Sequence, residues 1–279
     1  MSAENKYYLL PVTSDFIFKL IFGDKRNLDI LASFLKAVLD IPEDEYEKLV
    51  VIDPHLKKEY KKDKYGILDV KVITKSGNVI HIEIQVLPIP EMIERSVYYQ
   101  SKLVTEQIRS GQDYSEIKRA VSIIITDQIL IEGDDDYHNQ FRYRNKKGKE
   151  FTNLVEINTL ELAKLPVDSD NTDLWYWLRF ISTSNKEELN MLKERNVHIK
   201  KAANFLEEIS ADAETRKMYE DREKARRDMV SRLVGAKREG KIEVARKLLK
   251  RNRPIEKIIE DTGLTHEEIE SLKTSEQGN

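Results

Sequence analysis

Two segments rich in Val and Ile, residues 67–73 and 79–86, flank Lys75-Ser76-Gly77-Asn78, and this pairing constrains the fold more than any other feature. β-Branched runs joined by turn chemistry read as a β-hairpin. Side chains alternate along a strand, so His81, Glu83 and Gln85 share one face while Ile80, Ile82, Ile84 and Val86 share the other. On the first strand Asp69 and Lys71 share a face, interleaved with Leu68, Val70 and Val72. Parity decides whether the two polar sets meet. A three-residue turn, Ser76-Gly77-Asn78, pairs Lys75 with Val79, sets Asp69 opposite Gln85 and Lys71 opposite Glu83, and gathers all four on one face. A two-residue turn sets Asp69 beside Ile84 instead, so the expectation needs the odd loop, and Gly77 can supply its left-handed residue.

Such a quartet has a definite chemical use. Asp69 and Glu83 are hard oxygen donors suited to Mg2+ or Mn2+, and the carbonyl of Ile84 can add a third. A cation held there polarises a phosphoryl oxygen and activates a water. Gln85 can orient that water, and Lys71 can neutralise charge developing on a phosphate. The same alternation also describes an ordinary solvated sheet face, and spacing alone leaves both readings open.

The surrounding pattern is α/β. Residues 16–22, after Thr13 and Ser14, and 28–39, with Leu28, Leu31, Leu35 and Leu39, read as two opening helices; Gly23 is expected to end the first in a left-handed conformation. Pro88 and Pro90 close the hairpin, residues 91–110 form a helix stopped by Gly111, and the apolar run 120–126 is a strand buried on both sides. A second hairpin joins 141–145 to 151–157 through Lys146-Lys147-Gly148-Lys149. Beyond the helix at 174–181 the chain is nearly free of Gly and Pro. The expected organisation is an α/β domain over 1–183 and a helical extension over 184–279.

Composition narrows the chemistry. With no cysteine, thiol nucleophiles, disulfides and thiolate-bound metals are excluded, leaving oxygen and imidazole as ligands. Lys plus Arg (47) nearly balance Asp plus Glu (50), so attraction to nucleic acid must come from local patches. Two fit a phosphate-tracking groove: Lys57, Lys58, Lys61, Lys62 and Lys64, and Arg142, Arg144, Lys146, Lys147 and Lys149. No secretion signal and no membrane-length apolar run is seen, which suggests a cytoplasmic protein without membrane contact. The match of residues 235–242 to a phosphate-binding loop fails, because the required Ser or Thr is Ile242 and no strand precedes it. In the tail, Pro254 starts a helix, Gly263 ends it, and Thr265 with Glu268 forms a capping box for the next. The acidic start of that last helix suits packing or self-association better than a DNA groove, and these C-terminal helices are the surface expected for a homo-oligomer.

The ordered succession 14–24, Leu68-Asp69-Val70-Lys71, Ile82-Glu83-Ile84-Gln85-Val86, 98–103, 107–111, Asp113-Tyr114 and 121–125 resembles the Rpn family of recombination-promoting nucleases, transposases of the PD-(D/E)XK nuclease superfamily. Glu239-Gly240-Lys241 and residues 263–269 resemble the family's usual ending. The resemblance implies a PD-(D/E)XK restriction-endonuclease-like core, a mixed sheet flanked by helices, and Mg2+-dependent endonuclease cleavage of DNA in recombination or mobile elements. Asp69 matches the metal-binding aspartate, Glu83 the acidic residue of the E-x-K element, and Gln85 the position usually held by lysine. That departure leaves the source of positive charge among Lys71, Lys102 and Lys19. Asp15 resembles an acidic position on the first helix that supports the metal shell; a carboxylate favoured by the helix dipole explains it equally. The rival expectation is a nuclease-derived DNA-binding or oligomerisation protein that has lost catalysis.

Overall fold

The computed structural model describes residues 8–52, 70–86 and 91–277. Asp69 and the lysine cluster from Lys57 to Lys64 lie outside the described residues. Six strands, β1 (Val50–Ile52), β2 (Val70–Ile73), β3 (Val79–Gln85), β4 (Ala120–Thr126), β5 (His138–Arg144) and β6 (Glu150–Glu161), form one mixed sheet in the order β1-β2-β3-β4-β6-β5. The β3–β4 and β4–β6 pairs are parallel and the others antiparallel. Parallel neighbours need a crossover, and α3 (Met92–Thr105) supplies the one between β3 and β4.

One sheet face carries the main core. Val70, Val72, Ile80, Ile82, Ile84, Val121, Ile123 and Ile125 pack there with residues of α1 (Asp15–Phe22), α2 (Leu28–Val38), α4 (Asp173–Ser182), α5 (Lys186–Lys193) and α6 (Val197–Ala211). The aromatic heart is Phe22, Phe34 and Trp177, with ring centroids 5.2–6.0 Å apart and tilted or edge-on, as ring quadrupoles favour. The opposite face meets α3, where Val79 and Ala120 touch Leu103. This is the mixed sheet flanked by helices expected from the sequence.

Several expectations are corrected. Gly23 is right-handed, at φ −94°. Glycine is required there because a Cβ would lie 2.7 Å from the Lys19 carbonyl oxygen that accepts the Gly23 N–H. The third helix ends at Thr105 rather than Ser110. The Gln107 side chain takes the carbonyls of Leu103 and Lys118 at 3.1 Å and so bends the chain toward β4. The β2–β3 turn has three residues, but they are Lys75-Ser76-Gly77, closed by the Thr74 N–H on the Asn78 carbonyl at 3.0 Å, with Gly77 at φ +89°. The edge strand β1 carries no alternation long enough to be read from the sequence.

The chain divides into two compact units, 1–219 and 220–279. Leu189, Leu192, Ile199, Ala202 and Leu206 belong to the main core of the first unit. In the second unit the last part of α7 (Ala213–Lys250), α8 (Ile255–Thr262) and α9 (His266–Gln277) bury Ala245, Ile258, Leu264 and Ile269. Its helix junction is as read from the sequence. Gly263 is left-handed at φ +63°, the Thr265 N–H donates to Glu268 at 2.8 Å, and the Glu268 N–H donates to the Thr265 hydroxyl at 3.2 Å.

Candidate active site

The polar face of β3 is not a solvated surface. Glu83 is 3% exposed and His81 9%, because α3 lies across this face. Buried positions on α3 follow helical spacing, Met92, Ser96, Gln100 and Leu103, and two of the four are polar. Gln100 donates to the Ala120 carbonyl at 2.7 Å and accepts from the Ser122 hydroxyl. Ser122 is the parallel neighbour of His81.

One helical turn earlier Arg95 reaches the site strand. Its Nη2 lies 3.2 Å and its Nε 3.4 Å from Oε1 of Glu83, and its guanidinium carbon sits 4.6 Å from the centroid of the Tyr99 ring. The Glu83 side chain is 4% exposed and that of Arg95 23%, so the carboxylate is enclosed and the guanidinium has one open edge. Sequence reasoning missed Arg95. The signal was present, since a helix with polar residues in its buried stripe must face polar partners.

The hairpin register differs from the expected one by two residues. Val70 pairs with Ile82 and Lys71 with His81, so Lys71 is not opposite Glu83. The parity is unchanged, and Lys71, His81, Glu83 and Gln85 share the face that meets α3. Lys71 and Lys102, from β2 and α3, converge on Glu106 at 3.8 and 3.5 Å. Lys19, 8% exposed, and Asp15 sit on α1, which packs against β3. Asp15 accepts the Phe16 N–H at 2.7 Å, the arrangement a helix N-terminal carboxylate favours. Gln85 ends β3 beside Thr126 of β4, which in turn adjoins Glu161 of β6. Glu161 is fully buried and meets the Lys164 ammonium at 3.0 Å and the Leu130 N–H at 2.8 Å. This row lies at the carboxyl ends of the parallel strands, where open α/β sheets place their ligands.

The Glu83 carboxylate is chemistry that Mg2+ or Mn2+ accepts, and Arg95 is a positive charge already balancing it. Among the described residues there is no group of three or more His, Asp or Glu side chains able to hold a metal ion. The second carboxylate of the expected pair, Asp69, lies outside them.

Of the second basic cluster, Arg142 is internal. Its Nε donates to the fully buried Glu156 at 2.6 Å, and Arg119 donates to the same carboxylate. Arg144, Lys146, Lys147 and Lys149 are exposed around the turn, together with Tyr143 and Phe151. Tyr98, on α3, is 63% exposed.

A family model described as PD-(D/E)XK nuclease family transposase matches residues 12–236. No curated protein and no solved structure matches the chain. No described helix is long and apolar enough to cross a membrane.

Proposed function

The chain belongs to the PD-(D/E)XK nuclease family transposases, and from that premise we propose that it is a divalent-metal-dependent DNA endonuclease with Glu83 at its centre. The observation that carries this reading is the enclosure of Glu83 on a sheet face shared with Lys71 and Gln85, beneath a helix that presents a guanidinium to it. A carboxylate at 3% exposure is costly unless a positive partner balances it, and a cation-binding role accounts for a carboxylate buried between Ile82 and Ile84.

Asp69 and Glu83, with the Ile84 carbonyl, would hold Mg2+ or Mn2+, which supplies Lewis-acid stabilisation of the phosphate and a water of lowered pKa. Asp69 stands two positions before Lys71 in the sequence. Gln85, at the open end of β3, orients the attacking water through its amide. Lys71 adds positive potential on the same face. The water oxygen forms the new bond to phosphorus as the bond to the leaving oxygen breaks, and one water proton ends on that oxygen. Asp15 and Lys19 support the site from α1, and Lys102 from α3.

Supercoiled plasmid tests the proposal, incubated with wild type, Asp69→Ala and Glu83→Ala in Mg2+, in Mn2+ and in EDTA. Nicking or linearisation by wild type alone, abolished by EDTA, is the expected result. Equal cleavage by all three removes the site, and no cleavage by any leaves a family member that binds DNA or oligomerises without cutting it.

A further inference from the structure

Gln85 stands where the wider superfamily pattern places lysine, and two lysines that could replace it, Lys71 and Lys102, are both drawn to Glu106. A different cation touches the buried carboxylate. We propose that Arg95 is a catalytic residue of this site: its guanidinium, stored between Glu83 and Tyr99, passes to a non-bridging oxygen of the scissile phosphate of DNA once Glu83 is engaged by a divalent cation. The inference rests on the nuclease reading and adds to it the source of the missing charge.

Three observations support it. The contact is made through Nη2 and Nε at 3.2 and 3.4 Å, which leaves Nη1 outside the pair. The Tyr99 face, 4.6 Å from the guanidinium carbon, holds the group by cation–π attraction without using its N–H donors. The Arg95 side chain keeps 23% exposure where Glu83 keeps 4%, so the open edge of the pair belongs to the donor. Arginine remains charged at any working pH, and its planar fork matches two phosphate oxygens, which suits it to the task that lysine performs as a point charge. The same contact balances charge on Glu83, so Arg95 and a cation would compete for one carboxylate.

Competition gives the proposal a signature that a merely structural arginine lacks. Wild type, Arg95→Met, Arg95→Lys and Lys71→Met are compared for Mn2+ affinity by calorimetry, for duplex affinity in Ca2+, and for plasmid cleavage in Mg2+. Arg95→Met is expected to lose cleavage about 100-fold or more, as when one preorganised charge donor is removed, while its Mn2+ affinity is retained or rises severalfold. Arg95→Lys recovers part of the cleavage, and Lys71→Met loses less than Arg95→Met. Cleavage by Arg95→Met within about threefold of wild type overturns the proposal. So does a fall in Mn2+ affinity parallel to the fall in cleavage, which would make Arg95 a positioning residue for Glu83; if Arg95→Met fails to fold, the same comparison is read from Arg95→Lys. Wild type that neither binds Mn2+ nor cuts overturns the nuclease reading along with this one, whereas cleavage unaffected by Arg95→Met sinks only the role of Arg95.

Discussion

Lys71 stands opposite His81 in the β2–β3 hairpin, two residues out of step with the pairing that the turn sequence suggests. The reason lies outside the hairpin. Glu45, 7% exposed, accepts from the Thr74 and Ser76 hydroxyls and from the Ser76 N–H at 3.2 Å, while its backbone carbonyl accepts the Lys75 N–H at 3.2 Å. These bonds fix Lys75-Ser76-Gly77 as the turn. Glu45→Ala leaves the buried Thr74 hydroxyl without this acceptor and is expected to cost about 1–3 kcal/mol, read as a lower urea midpoint at unchanged slope. A midpoint equal to wild type would show that the turn sequence sets the register by itself.

Glu156 makes stability depend on acid. Burial pushes its carboxyl up, but hydrogen bonds from Asn158, Arg119 and Arg142 and the Arg119 charge outweigh that and hold it below the ordinary value. A depressed folded pKa contributes stability that is fully present above the unfolded value near 4.5 and is lost as pH falls through the folded one. Glu156→Ala is expected to cost about 3–5 kcal/mol at pH 7, since it strands two largely buried arginines, and the gap to wild type should narrow below about pH 4.5. A gap independent of pH between 7 and 3 would contradict this account.

The exposed cations of the β5–β6 turn are expected to track a DNA backbone. Replacing Arg144, Lys146, Lys147 and Lys149 by Ala should weaken duplex binding with little regard to sequence. The slope of log K against log salt should fall by about 0.9 for each phosphate that is no longer neutralised. Fluorescence anisotropy across a salt series of about 50–200 mM measures both, and an unchanged slope would place the duplex elsewhere.

The sequence was most legible where structure is local. Alternation over Ile80–Val86 depends only on the two-residue strand period, and the reciprocal Thr265–Glu268 cap depends only on three-residue spacing; both appear as expected. Register was less so, because Glu45 acts from 29 residues before Thr74. Arg95 was harder still. Its contact with Glu83 depends on how α3 crosses the sheet, and sequence spacing records the helix and the strand but not the angle between them. Spacing alone left a solvated face open as the other reading of this strand for the same reason: whether the next helix in the chain covers that face is not recorded in the strand. Asp69, the other half of the expected pair, lies outside the described residues.

The central claim is that Glu83 serves a divalent cation, and the most direct measurement is anomalous diffraction from crystals of the protein soaked in Mn2+. One strong peak is expected about 2.2 Å from a Glu83 oxygen and within bonding distance of Asp69, with the Arg95 guanidinium displaced from Oε1. A crystal that takes up Mn2+ elsewhere while Arg95 stays on Glu83 would contradict it.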